Sequence, residues 1–435
     1  MSLLLFRREN CLRHWGSKDF ERGSKKQLRR RTMPTTPGTG AQLPTTTTRT
    51  TATLSCRSSR ATSGEHVTLD EVFDAYYDCR CHKRSKRSAV KYELDYELRN
   101  YQLWKELNDM TYRPTTSIAF CVTVPKLREV FAADFRDRVV HHLLISRISH
   151  VVESRLTDAA CACRVGKGSL YGANRLRNMM NGASDCWYAR CDIQGFFMSI
   201  DKDVLMGIVD GVVREACPTD TDWWLWLAET VIMHRPEHDC ELHGNTRLWD
   251  KLPANKTLFK TNGRGLPIGN LTSQVLANLY MAEFDKWITE RLGGEMRYIR
   301  YVDDFVIIHE DKDYLLKVLG MAVEWLKENR GLTVHPKKTC IQRVRHGISF
   351  VGYFIKGGVI HSGRRTRANA LAVAREWGRH SEHTSDERIK LRGRYNSYSG
   401  ILKHTASWKI RRKMWRLLGD YKGITNINMN KIKIK

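Results

Sequence analysis

The chain lacks an apolar run long enough to span a bilayer, so nothing in it calls for a membrane partner. The Met1–Phe6 stretch is too short for a secretory core, and Arg7 and Arg8 follow it on the wrong side. Its 12 cysteines include no Cys-x-x-Cys pair; Cys79/Cys81 and Cys161/Cys163 are each separated by a single residue. Without a secretory signal these thiols are expected to be reduced, in a cytoplasmic protein. Acidic residues are missing altogether between Glu21 and Glu65. With Arg29, Arg30, Arg31, Pro34, Pro37 and the Thr45–Thr48 run, residues 1–65 form a basic, low-complexity extension that is expected to be disordered. It reads either as an RNA- or partner-binding tail or as an upstream addition from a misassigned start codon.

What is present is positive charge, unevenly placed. The 435 residues carry a net charge of +26. Residues 1–60 hold 13 Lys and Arg against 3 acids, and residues 364–435 hold 19 against 5, which leaves the long middle near neutral at +2. A near-neutral body with basic ends fits a protein whose ends meet a phosphate backbone.

The middle carries the chemistry. Tyr301-Val302-Asp303-Asp304 sits between Met296–Arg300 and Phe305–His309, two short runs of β-formers, and reads as strand, tight turn, strand. Two adjacent carboxylates at a hairpin tip repel one another unless a cation lies between them. A pair of Mg²⁺ ions is the usual solution in phosphoryl transfer. A third acid, Asp192, ends the strand-like run Trp187–Ile193 and would join the other two if the strands pair. Between them lies Gly265-Leu266-Pro267-Ile268-Gly269, a tight loop that leads to a helix opening at Thr272 or Ser273. His234, His238, Cys240 and His243 form the one group with zinc-ligand side chains, but their spacing is irregular and they lie in an expected insertion loop.

In order, Asp192-Ile-Gln-Gly-Phe-Phe, Gly265-Leu-Pro-Ile-Gly with Ser273-Gln274, and Tyr301-Val-Asp-Asp resemble motifs A, B and C of reverse transcriptases. Leu332-Thr-Val-His-Pro-Lys-Lys-Thr resembles motif D, and Phe350-Val-Gly-Tyr the primer-grip motif E. Val124-Pro-Lys-Leu-Arg-Glu-Val, Asp134-Phe-Arg-Asp-Arg-Val-Val-His-His and Arg164-Val-Gly-Lys-Gly-Ser resemble the fingers blocks of group II intron-like bacterial enzymes. The Ile268-Gly269…Ser273-Gln274 variant, the Trp249…Leu252-Pro253…Leu258-Phe259 approach and Tyr395-Asn-Ser-Tyr-Ser-Gly-Ile-Leu-Lys-His resemble the enzymes of diversity-generating retroelements.

The resemblance implies an α+β right-hand polymerase: fingers over 66–185, a palm with an antiparallel sheet and helices on one face over 186–362, and a basic helical thumb and tail over 363–435. A hairpin is expected near Ile118–Val124 and a further strand at Phe350–Ile355, and Thr68 is expected to cap a helix running toward Tyr77. It implies cDNA synthesis from an RNA template with errors mainly at template adenines, dNTPs as substrates, and a small basic accessory variability protein as partner. Asp192, Ile193, Asp303 and Asp304 make up the implied site for two Mg²⁺ ions, with Mn²⁺ an alternative. Lys126 and Arg128 would clamp the triphosphate, and Phe197 would exclude a 2′-hydroxyl. Ile268, Gly269 and Gln274 would face the incoming nucleotide. Lys338, or its neighbour Lys337, would protonate pyrophosphate. Arg164, Lys167, Tyr301, Val302, Gly352 and Tyr353 would meet template or primer. Ile268 can neither donate nor accept a hydrogen bond, so Ile268→Gln is expected to raise fidelity. The competing readings are a phage-defence, retron or CRISPR-associated reverse transcriptase, a catalytically silent RNA-binding or maturase-like module, and an RNA-dependent RNA polymerase. No fused RNase H or endonuclease domain is expected after the thumb.

Overall fold

The computed structural model describes residues 64–81, 83, 86–124, 126–294, 297–379 and 384–418, with the backbone of a small strand pair, Ile424–Thr425 and Lys433–Ile434. The basic extension before residue 64 and most of the tail after 418 lie outside the described residues. The first helix, Leu69–Arg80, opens at Thr68 as its sequence predicts. The Thr68 hydroxyl accepts from the Glu71 amide at 3.3 Å, and the Glu71 carboxylate accepts from the Thr68 amide at 2.9 Å.

Four strands form the central sheet: β3 (Trp187–Asp192), β5 (Tyr298–Tyr301), β6 (Asp304–His309) and β7 (Cys340–Arg343), in the order β5-β6-β3-β7, all antiparallel. Phe305, Val306, Ile307 and Ile308 are consecutive and all buried. Side chains alternate across a strand, so both faces of the sheet are covered, whereas helices on one face were expected. Helices Lys312–Arg330 and Ser169–Met180 provide part of that cover.

Beside this sheet, β1 (Ser117–Val122) and β2 (Arg128–Ala132) form the expected hairpin. A strand from the expected insertion loop, β4 (Cys240–His243), joins β1 in parallel. The single strand expected at Phe350–Ile355 is instead a hairpin of β8 (Ile348–Phe350) and β9 (Tyr353–Lys356), continued by β10 (Val359–Ser362). Val351 and Gly352, at φ 44° and 87°, make the turn that breaks it.

One apolar core runs from the N-terminal helices through the long helix Phe135–Arg155 to the central sheet. Helices Arg364–Gly378, Ser385–Leu402 and Trp408–Arg416 close on a separate small core that includes Trp377, Tyr395, Leu402 and Met414. Tyr395 and Tyr398 are buried there, while Trp408 is exposed among Lys and Arg. Among the described residues no helix is long and apolar enough to cross a membrane.

Candidate active site

The turn between β5 and β6 is two residues long, Val302-Asp303, with Tyr301 paired to Asp304. Val302 sits at φ 58°, a conformation that costs a β-branched residue about 1–3 kcal/mol. Polar contacts hold it there. Arg300 Nη1 donates to the Val302 carbonyl at 3.0 Å, and the Ile193 amide donates to the Asp303 carbonyl at 3.1 Å. Arg300 and Asp285 are both fully buried and form a two-pronged pair, Nε to Oδ1 at 2.7 Å and Nη2 to Oδ2 at 2.5 Å. Tyr298 donates to the same carboxylate at 2.7 Å. Arg300 Nη1 also donates to Asn278 Oδ1 at 3.2 Å, and Asn278 Nδ2 donates to the Ala162 carbonyl at 2.6 Å. The hairpin is thus tied to the helices Leu271–Tyr280 and Ala282–Arg291 by a network with no exposed member. Sequence reading missed Arg300, Asp285 and Asn278. The available signal was an arginine amid the apolar residues of a short strand.

Antiparallel pairing sets Asp192 of β3 directly opposite Asp304 of β6, with Asp303 at the adjoining turn. Burial pushes the Asp303 carboxyl up from 3.8 to about 7, and the charges of Asp304 and Asp192 push the same way. Asp304 rises to about 6 through burial and then Asp192, against the pull of Arg190, Lys338 and Lys126. Lys338 Nζ pairs with Asp192 Oδ2, whereas exposed Lys337 has no such contact. Among the described residues no three carboxylate, His or Cys side chains already close round one point as a finished metal cage, and Asp192 faces the Lys338 ammonium. The donor set still suits a hard divalent ion: buried oxygens that raise one another's pKa lack positive charge. Ile193 has no polar side-chain atom, so only its carbonyl is a candidate ligand.

Cations crowd the other side. Lost solvent, and then the charges of Lys338, Arg365 and Arg128, lower the Lys126 ammonium's pKa, while Asp192 opposes them. Lys126 and Arg128 stand at the β1–β2 turn, and Arg365 opens the helix Arg364–Gly378. Arg365 was not among the residues read from sequence.

Phe197 is half-buried in the one-turn helix Phe196–Ser199, with its ring 5.5 Å from Phe196 and nearly edge-on. The Leu266 amide donates to the Phe197 carbonyl and the Gly265 amide to the Ile200 carbonyl, both at 2.8 Å, which laces the glycine loop beside it. Farther along the loop, Phe131 N–H donates to the Ile268 carbonyl at 2.9 Å. Gly269 lies at φ 142°, and a Cβ there would strike the Phe131 carbonyl oxygen. Ile268 packs against a small cluster of Ala119, Phe131, Met198 and Leu258. The helix after the loop opens at Leu271 with Asn270 as its cap; Thr272 and Ser273, expected to open it, are buried within it. Gln274 Oε1 accepts from Cys163 Sγ at 3.5 Å.

The expected template and primer residues lie in different settings. Tyr301, Val302 and Tyr353 are buried, and Gly352 makes the β8–β9 turn. Arg164 is buried, its guanidinium on Glu153 at 2.9 Å and on the carbonyls of Thr157 and Ala160. Lys167 pairs with Asp158 at 2.7 Å. The zinc-type group does not assemble among the described residues: burial lowers the His234 imidazole's pKa, while His238 and His243 are exposed beside Glu237 and Glu241.

Residues 124–355, more than half of the chain, match the family model described as reverse transcriptase (RNA-dependent DNA polymerase), and the chain belongs to that family. Its α+β architecture is the right-hand polymerase fold. The chain is similar to protein YkfC of Escherichia coli, with 23% identity over 275 residues, covering 52% of this chain and 63% of that one. It is also similar to a COX1/OXI3 intron 2 protein of Saccharomyces cerevisiae, with 18% identity over 314 residues, covering 59% and 34%. The chain therefore spans less than two thirds of each curated relative. Among solved structures, apo telomerase from Candida tropicalis matches at TM-score 0.44 and 11% identity over 70% of this chain and 56% of that chain. Telomerase from Candida albicans, in complex with a fragment of telomeric RNA, matches at 0.41 and 11% over 72% and 60%.

Proposed function

We propose that the protein is an RNA-directed DNA polymerase that extends a primer on an RNA template with dNTPs. The observation that carries this reading is the β3–β6 register, which sets Asp192 opposite Asp304 beside the turn acid Asp303. Two Mg²⁺ ions, or Mn²⁺, held by Asp192, Asp303, Asp304 and the Ile193 carbonyl would supply Lewis-acid activation of the primer 3′-hydroxyl and charge stabilisation at the leaving pyrophosphate. Lys126, Arg128 and Arg365 bind the triphosphate through charge-assisted hydrogen bonds. Lys338 leaves Asp192 and gives its proton to pyrophosphate as the phosphoanhydride bond breaks. Phe197 closes the space that a ribose 2′-hydroxyl needs. Residues 66–185 act as fingers, 186–362 as palm and 363–435 as a basic thumb and tail that grips the template–primer duplex by its backbone. Tyr301, Val302, Gly352 and Tyr353 shape the floor under the primer, Lys167 lies toward the template, and Arg164 holds the 156–168 loop in place.

The finer reading is a diversity-generating retroelement enzyme, error-prone at template adenines and working with a small basic accessory protein. The Ile268-Gly269…Ser273-Gln274 loop and the Tyr395–His404 segment support it. A role attached to an intron, as in the yeast relative's name, is the second reading and requires accurate copying. Sequencing the cDNA made on an adenine-containing RNA separates the two. Errors concentrated opposite adenines, reduced in Ile268→Gln, support the first; uniform accuracy with and without a partner protein rejects it.

A further inference from the structure

Glu129 lies next to Arg128 on β2 and is 1% exposed. An unpaired buried carboxylate would be costly, and this one is fully engaged. Its Oε2 accepts from Trp249 Nε1 at 2.7 Å and from Thr257 Oγ1 at 2.6 Å, and its Oε1 accepts from the Leu258 amide at 2.8 Å. Burial raises the carboxyl's pKa, and the same three donors pull it back. All three donors come from the segment between β4 and the glycine loop, more than a hundred residues away in sequence. That segment makes further contacts with the same hairpin: the Phe259 ring lies 5.8 Å from that of Phe131, tilted by 42°, and Leu258 shares an apolar cluster with Ala119, Phe131 and Ile268. The neighbouring turn of the hairpin, by contrast, is open to solvent, with Val124 71% exposed and Lys126 exposed.

We infer that Glu129 is a positioning residue for nucleotide binding: it fastens the Trp249–Leu258 segment to β2, and so sets where Lys126 and Arg128 meet the incoming triphosphate. The inference rests on the polymerase reading above. Glu129 itself touches neither substrate nor metal. It fixes β2 one residue behind the turn that carries the triphosphate contacts, while farther along the strand the Phe131 amide meets the Ile268 carbonyl of the glycine loop. One buried carboxylate therefore ties the cationic turn to the 245–260 segment, and the backbone of the same strand ties both to the glycine loop.

The test is steady-state primer extension with the full chain, varying dNTP at saturating RNA template–primer, for the unaltered protein, Glu129→Gln, Thr257→Val and the double variant. Glu129→Gln keeps the shape but turns an amide N–H toward one of the donors. The expected result is a rise in dNTP KM of roughly tenfold, the loss of about one hydrogen bond to a charged group. kcat should change less than threefold, and template–primer binding should stay as it was. The effects of Glu129→Gln and Thr257→Val should fall well short of multiplying in the double variant, because both remove the same contact. A lowered melting temperature with an unchanged KM would leave Glu129 merely structural and overturn the inference. So would equal losses in kcat and template–primer binding, or fully multiplicative effects. If Glu129→Gln does not fold, the KM of Thr257→Val decides alone. No synthesis by the unaltered protein overturns the polymerase reading and this inference together, whereas a fully active protein with indifferent variants overturns only the latter.

Discussion

Two hairpins face one another across the candidate site, and they are built in opposite ways. The β5–β6 hairpin is acidic at its half-buried tip and buried along most of its strands, and its strained Val302 is held by the Arg300–Asp285–Asn278 network. The β1–β2 hairpin is cationic and solvent-exposed at its tip, and it is anchored just behind the tip through Glu129 and nearer its base through Phe131. Carboxylates that must hold ions in a fixed geometry gain from an over-determined frame. Cations that must receive and release a triphosphate gain from a tip that can yield. On the proposed reading the first hairpin carries the chemical step and the second captures the nucleotide, and substitutions should separate these kinetically.

The largest effect is expected from Asp303→Asn, which removes a charge from the half-buried triad while keeping its volume. cDNA synthesis should fall at least about a thousandfold, the several kcal/mol that ion-mediated charge stabilisation supplies. Retention of a tenth of the activity would break the comparison at once. Next comes the frame. Asp285→Asn leaves Arg300 buried without its counter-charge and should cost about 3–5 kcal/mol of stability, read from denaturant unfolding. A cost below 1 kcal/mol would show that the hairpin does not depend on that pair. Lys126→Ala should act on the other hairpin, raising dNTP KM roughly tenfold with little change in kcat. A kcat effect of equal size would place Lys126 in the chemical step and blur the division.

The smallest effect is electrostatic. Asp303 and Asp304 titrate near 7 and 6 in the fold, against 3.8 as the ordinary value. Between about pH 4 and 7 the folded metal-free chain keeps protons that the unfolded chain has released, so these groups subtract stability as pH rises. Asp303→Asn should flatten that fall by a few degrees of melting temperature. Mg²⁺ should raise the melting temperature of the unaltered protein more at the alkaline end of the window than at the acid end. Identical pH profiles for the two proteins, with or without Mg²⁺, would remove the electrostatic basis of the proposed metal site.

Much of the first hairpin was legible in the sequence. Tyr301–Asp304 between two β-rich runs predicted the turn, and Asp192 ends a strand-like run that would join it if the strands paired, as β3 and β6 do. These are local signals, with apolar residues where strands bury them and acids where chains reverse. The supports were not legible. Arg300 in a strand reads as a solvent-facing charge until Asp285 and Asn278 arrive from two helices. Glu129 finds its donors only after β4 aligns with β1 and carries the following segment across. Thr272 and Ser273 looked like helix caps because hydroxyl residues favour that place, yet burial in the core drew them inside and left Asn270 at the boundary. Gly352 did mark a turn within the run read as one strand. Arg365 is far from Lys126 in sequence, and only tertiary structure brings the two together.

The most direct measurement is primer extension on an RNA template with dNTPs, with and without Mg²⁺, comparing the unaltered chain with Asp303→Asn. The account predicts cDNA that requires both Mg²⁺ and Asp303. Metal-independent synthesis, undiminished synthesis by the variant, or no synthesis by the unaltered chain with template, primer and partner all supplied would contradict it.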